Sequence, residues 1–205
     1  RDEDLRADRQ PEFTQIDLEM SFVDQGDVMT VNEGFMKYVF KRILNVDIQT
    51  PFRRLRYEDA MNRYGSDKPD TRFGLELCDL SDLVADTEFK VFRGALDAGG
   101  SVRAIVAKNS ADRLSRKEID KLTDFVKTYR AKGLAFTRLT ADGESSSYEK
   151  FLSESEKNAI RARLDVTSGD VILIVADSSN DVVYDSLGQL RCELAKKLNL
   201  IPEDT

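Results

Sequence analysis

Along residues 13–22 (FTQIDLEMSF) apolar side chains alternate with polar ones: Phe13, Ile16, Leu18, Met20 and Phe22 stand against Gln15, Asp17, Glu19 and Ser21. From Ile16 onward the period is two, which predicts a strand with one wet face. That face carries Gln15, Asp17 and Glu19, an acidic row with nothing basic between. Gln25-Gly26-Asp27 breaks the strand, and Asp27 is placed to cap a helix. Val28, Val31, Phe35, Val39 and Ile43 then recur at helical spacing, so a helix should run to about Leu44. Residues 52–57 (FRRLRY) read as a short strand and 57–64 as a short helix. The stretch 64–70 (YGSDKPD), punctuated by Gly and Pro, reads as loop. A further short helical stretch is expected near 80–84.

From Phe89 the pattern is that of a self-contained α/β unit. Residues 89–96 read as a strand, 97–100 (DAGG) as a turn and 102–107 as a second strand, a hairpin by its turn chemistry. Ser115 with Glu118 forms a capping-box pattern. Ile119, Leu122, Phe125, Val126 and Tyr129 make the apolar face of the helix that follows, and Gly133 should stop it. Residues 134–139 read as a third strand. Ser153 and Glu156 repeat the capping box, ahead of a helix that turns Ile160 and Leu164 inward. Residues 171–176 (VILIVA) read as the central strand, and Val183, Leu187, Leu190, Leu194 and Leu198 stripe a final helix. Hairpins and helical crossovers imply an α+β fold (mixed α/β) of roughly 110 residues, a mainly antiparallel sheet with helices on one face. Its boundary is expected near 79–88.

Composition narrows the class. Hydrophobic residues make up 40% of the chain and charged residues 34%, typical of a soluble globular protein and too apolar for a disordered one. The longest apolar run, 171–176, is far short of a bilayer span, so no membrane partner is expected. The opening RDEDLRADRQ is highly charged and lacks both an initial Met and a signal-peptide pattern, which reads as an excised piece of a cytoplasmic protein. Cys78 and Cys192 are too far apart for a metal or redox pair by spacing, and each has apolar neighbours; reduced, partly buried thiols are expected. With 31 basic and 38 acidic residues the net charge is −7, which argues against gripping nucleic acid by bulk charge. Histidine is absent, which removes Ser-His-Asp and Cys-His nucleophiles. Arg, Lys, carboxylates and backbone groups remain, an inventory suited to positioning a phosphate-bearing substrate.

The string RDEDLRADRQPEFTQID at residues 1–17 resembles motif 2 of the class II aminoacyl-tRNA synthetases, and the bacterial-type aspartyl-tRNA synthetases in particular. A planar guanidinium can bridge a phosphate oxygen and an amino-acid carboxylate at once, neutralising two anions that must meet. The resemblance implies that Arg1 plays this catalytic part, touching both ATP and aspartate. It likewise implies that Asp2, Glu3 and Gln10 lie at ATP. Asp17 would receive the α-ammonium of aspartate with Gln15 beside it, and Arg6 and Arg9 would approach the tRNA acceptor end. A second string, YGSDKPDTR at 64–72, is similar to the segment after the catalytic helix of the same enzymes and carries no assigned role.

A third resemblance covers EFKVFRGA (88–95), LSRKEIDKLTDFVKTYRAKGLAF (114–136), GDVILIVAD (169–177) and LGQLRCELAKKLNL (187–200). These are similar to the GAD domain that bacterial-type aspartyl-tRNA synthetases share with the B subunit of the tRNA-dependent amidotransferase. The layout implied is a partial class II catalytic domain at 1–78, an inserted GAD domain at 79–200 and a return linker at 201–205. Residues 116–132 carry six basic and three acidic side chains, which could meet an RNA backbone or form an ordinary solvated face.

The implied parent is an aspartate–tRNA ligase. It would use ATP and Mg²⁺, charge tRNA(Asp), with tRNA(Asn) as a second candidate, and work as a homodimer. Motif 1, the first motif 2 strand, the motif 3 Arg and the anticodon-binding domain are not recognisable here, nor are ligands for Mg²⁺, so this stretch alone is expected to be inactive. The alternative is a noncatalytic tRNA- or protein-docking module, as in the amidotransferase subunit.

Overall fold

The computed structural model describes residues 10–203, which fall into two units, one ending at Arg54 and the other beginning at Leu55. In the first unit, Asp24 rather than Asp27 caps the opening helix, α1 (Gln25–Val39). Asp24 Oδ1 accepts from the N–H of Gly26 and Asp27 at 2.7 and 3.1 Å, and Asp27 answers by accepting the Asp24 N–H at 3.0 Å. Asp27 is thus the far half of a capping box, not the cap. The helix widens into a π-turn over Phe40–Leu44 and ends where Asn45 takes a left-handed φ of 54°.

The alternating segment ahead of α1 does not become a strand. Apart from a single bridge at Glu12, residues 13–20 have no regular secondary structure, and 52–56 likewise form no strand. Period-two sequence licenses an extended chain, but a strand also needs a ladder partner, and none pairs with these residues among those described. No residue of α1 is buried.

The second unit is α+β, built on five antiparallel strands. In chain order its elements are α2 (Tyr57–Tyr64), β1 (Cys78–Asp79), α3 (Lys90–Asp97), β2 (Ser101–Ala107), α4 (Arg116–Lys127), β3 (Ala135–Thr140), β4 (Gly143–Ser146), α5 (Glu154–Leu164), β5 (Val171–Asp177) and α6 (Asn180–Lys197). The sheet order is β1-β2-β5-β3-β4, with β5 at the centre as its apolar run predicts. Because β5 is covered on both faces, its residues alternate between two cores. Val171, Leu173 and Val175 join Ile105, Ile119, Leu122, Val126, Leu187, Leu190 and Leu194 on the side of α4 and α6. Ile172 and Ile174 join Val102, Ala104, Phe92, Tyr148, Ile160 and Leu164 on the side of α3 and α5. Helices therefore lie on both faces, not one. Each fully buried Leu, Ile or Phe in these cores stabilises by roughly 1.5–3 kcal/mol relative to exposure.

Several sequence expectations change in detail. Residues 89–96 are not a strand: Lys90–Asp97 is helical, burying Phe92 and Ala95 while Val91 stays 55% exposed. The spacing Phe89, Phe92, Leu96 is that of one helix face, and Arg93 pairs with Asp97 one turn on at 3.0 Å. The hairpin lies instead between β3 and β4, where Ala141-Asp142 joins Thr140 to Gly143. Residues 81–86 form turns rather than a helix. Of the two capping boxes, the one at Ser153 and Glu156 is complete. At α4, Ser115 accepts the Glu118 N–H at 3.4 Å, but the Glu118 carboxylate turns to Lys121 and Lys197, whose ammonium groups pull its pKa down to about 2. That helix ends at Lys127, with the left-handed residue at Arg130 (φ 74°), so Gly133 is not its stop.

Candidate functional site

Arg1, Asp2, Glu3, Arg6 and Arg9 lie outside the described residues. Gln10, Gln15 and Asp17 are described, and all three are exposed. Gln15 Nε2 donates to Asp17 Oδ1 at 2.7 Å. The two exposed side chains are thus paired with each other. Phe22, with a left-handed φ of 58°, and the Asp24 cap turn the chain from this segment into α1.

The basic helix α4 offers little free positive charge. Arg116 pairs with Asp120 at 3.0 Å, Lys121 with Glu118 at 2.7 Å and Lys127 with Asp124 at 2.9 Å. Beyond the helix, Arg130 reaches Asp185 at 3.2 Å and Lys132 lies 3.9 Å from Asp177. Such exposed pairs are worth little in stability, but they spend most of the charge that an RNA backbone would need. Among the described residues no group of three or more His, Cys, Asp or Glu side chains is placed to hold a metal ion. No helix of the described residues is long and apolar enough to cross a membrane. Cys78 and Cys192 are free and half-buried, and burial pushes the Cys78 thiol pKa up.

Three charged residues that sequence patterning passed over are built into the second unit. Asp170 is 1% exposed at its side chain and closes the entry to β5. It accepts from Asn109 N–H at 2.8 Å, Thr167 N–H at 2.9 Å and Lys108 Nζ at 3.1 Å. Arg103 on β2 pairs with Asp79 at 2.8 Å and lies 4.9 Å from the Tyr184 ring centroid. Arg191 on α6 is 1% exposed and reaches into the loop of the YGSDKPDTR string. Burial lowers the pKa of its guanidinium. A helical Arg leaves no sequence signal of burial; a stripe position shared with Leu187 and Leu194 was the one available hint.

A model of the class II tRNA synthetases (D, K and N) matches residues 1–178, the greater part of the chain. The chain belongs to that family. It is 59% identical, over all 205 residues, to an aspartate–tRNA ligase of Ruminiclostridium cellulolyticum, of which it covers 34%. It is 55% identical over 203 residues to the aspartate–tRNA ligase of Clostridium beijerinckii, and 56% identical over 204 residues to that of Clostridium botulinum strain Kyoto, again covering 34% of each. The chain thus spans about a third of the length of the curated relatives it matches.

Proposed function

We propose that this chain is part of an aspartate–tRNA ligase that activates L-aspartate with ATP to aspartyl-adenylate and transfers the aspartyl group to tRNA(Asp), with tRNA(Asn) as a second candidate. The observation that carries the reading is the exposed Gln15–Asp17 pair. It presents an acceptor carboxylate, steadied by an amide, on an exposed segment at the end of the motif 2 string. Asp17 receives the α-ammonium of aspartate, with Gln15 fixing its orientation.

In this reading Arg1 bridges the α-phosphate of ATP and the aspartate carboxylate, while Asp2, Glu3 and Gln10 hold ATP. A carboxylate oxygen then attacks the α-phosphorus in line and pyrophosphate leaves. Arg6 and Arg9 approach the tRNA acceptor end, whose ribose hydroxyl displaces AMP from the mixed anhydride. Mg²⁺ would supply charge neutralisation on the phosphates when bound, with its ligands expected outside this stretch of the chain. The parent is placed in the cytoplasm as a homodimer, with residues 1–78 in the catalytic domain, 79–200 in an inserted GAD domain and 201–205 in the return to the catalytic domain. The docking-module alternative is disfavoured because the family match spans the motif 2 string.

Changing Arg1→Ala in the full-length parent tests this. A bidentate contact that strengthens in the transition state is worth about 3–4 kcal/mol, so ATP–pyrophosphate exchange should fall by roughly two to three orders of magnitude. Affinity for tRNA should change little, and Arg1→Lys should not rescue exchange. Near-normal exchange with collapsed tRNA affinity would make Arg1 an RNA contact and sink the assignment.

A further inference from the structure

Arg191 sits three residues after Gly188 on α6, and both face the loop 65–74. Its guanidinium carbon lies 4.9 Å from the Tyr64 ring centroid and 4.3 Å from that of Phe73. Its Nη2 donates to three backbone carbonyls, those of Asp70 at 2.8 Å, Phe73 at 3.2 Å and Gly74 at 2.9 Å. Its Nε is buried without a hydrogen-bond partner. One helical turn earlier the two backbones touch. A Cβ on Gly188 would come within 2.7 Å of the Gly65 carbonyl oxygen, and one on Gly65, at φ +67°, within 2.4 Å of the Tyr184 carbonyl oxygen. Around this contact, Tyr184 Oη donates to Asn62 Oδ1 at 2.8 Å, and Arg63 grips Glu76 through two nitrogens at 2.8 and 2.6 Å.

An apolar residue of similar volume would fill this space without the desolvation cost of a buried cation. What the guanidinium adds is shape: a planar fork between two rings admits one arrangement of the carbonyls beneath it. We infer that Arg191 is a positioning residue, clasping the loop 65–74, and through it α2, to the long helix of the sheet unit. The clasp fixes where the chain enters this unit and makes the YGSDKPDTR segment part of its rigid body. The consequence for catalysis rests on the aspartate-activation reading above. In that reading the substrates are held by residues 1–17, outside the loop, so an effect of the clasp on catalysis would be read in kcat rather than in KM.

The experiment compares Arg191→Met, Arg191→Lys and Phe73→Leu in the full-length parent by amide exchange and ATP–pyrophosphate exchange. For Arg191→Met, amides of 62–77 should exchange at least about tenfold faster while those of Val171–Asp177 are unchanged. Because a small misplacement far from the chemistry costs up to about a hundredfold, kcat should drop roughly ten- to hundredfold, with KM for ATP and aspartate held within about twofold. Arg191→Lys, which keeps charge but not the fork, should follow Met, and Phe73→Leu should give a weaker copy should the Met variant fail to fold. Full activity in the Lys variant, or a loosened loop with unchanged kcat, overturns the inference and leaves the activation reading standing. If the unaltered parent shows no aspartate-dependent exchange, the activation reading falls and takes the catalytic consequence with it. The loop-protection result then decides the clasp by itself.

Discussion

Helices α1 and α6 carry the same kind of pattern, apolar residues at helical spacing behind an N-cap, yet none of the 15 residues of α1 is buried whereas nine of the 18 in α6 are. Val28, Val31 and Phe35 are each about two-fifths exposed (41%, 42% and 42%), while Val183, Leu187 and Leu190 are fully buried. The segment before α1 repeats the contrast, with Ile16 at 71% and Leu18 at 60% against the closed strand Val171–Asp177. Amphipathicity states which face wants cover; it does not supply the cover. Residues 55–203 contain both sides of their two cores, whereas the first unit presents a row of apolar side chains of the kind that marks a surface for burial.

Amide exchange on the 205-residue chain should break or confirm this division most sharply. The central strand opens only by unfolding of its unit, while residues 13–22 have no ladder to lose. Protection in Val171–Asp177 should exceed that in 13–22 by at least about a thousandfold. Comparable protection in the two segments would mean that the first unit has a core of its own.

A pair of equal truncations separates the units next. Leu187→Ala removes a side chain with no exposed surface on the α6 side of the sheet and should cost about 2–5 kcal/mol by chemical denaturation. Leu18→Ala, at 60% exposure, should stay within about 0.5 kcal/mol. A large loss at Leu18 would place it in a core, against its exposure.

How far the sequence could be read follows the same line. The α6 stripe, the Ser153–Glu156 box and the central strand were legible because each depends on local spacing and on burial that the unit itself provides. Residues 89–96 were misread because Phe89, Val91 and Lys90 alternate like a strand, and only the burial of Phe92 and Ala95 reveals the helical period. The hairpin was placed at 97–100, and Asp142-Gly143, where the structure turns from β3 into β4, was not picked out. Arg103 and Asp170 left no signal and Arg191 only its stripe position, since their partners lie 24 to 121 residues away or in backbone carbonyls and N–H groups that no pattern displays. Of the candidate site, spacing gave the shared face of Gln15 and Asp17, and resemblance alone gave their roles.

The smallest effect compares two carboxylates that the sequence does not distinguish. Asp170 is buried among Asn109, Thr167 and Lys108; Asp17 is exposed beside Gln15. Burial raises the Asp170 pKa, but the Thr167 and Asn109 N–H groups and the Lys108 ammonium lower it further, leaving it below the ordinary carboxylate value. Asp170→Asn sets an amide NH₂ against these donors and should cost about 2 kcal/mol at neutral pH, the worth of hydrogen bonds to a charged group. The folded pKa lies below the unfolded value of about 3.9. The contribution of Asp170 is therefore complete above that value and is lost as pH falls through the folded pKa. Denaturation midpoints of wild type and Asp170→Asn should accordingly converge below about pH 4. Asp17→Asn, with its exposed and singly held carboxylate, should leave stability within about 0.5 kcal/mol at neutral pH. Its effect belongs instead in the KM for aspartate of the full-length parent. A pH-independent gap for Asp170→Asn would show that shape rather than charge sets its cost, and a stability loss at Asp17 would move that residue from the chemistry to the fold.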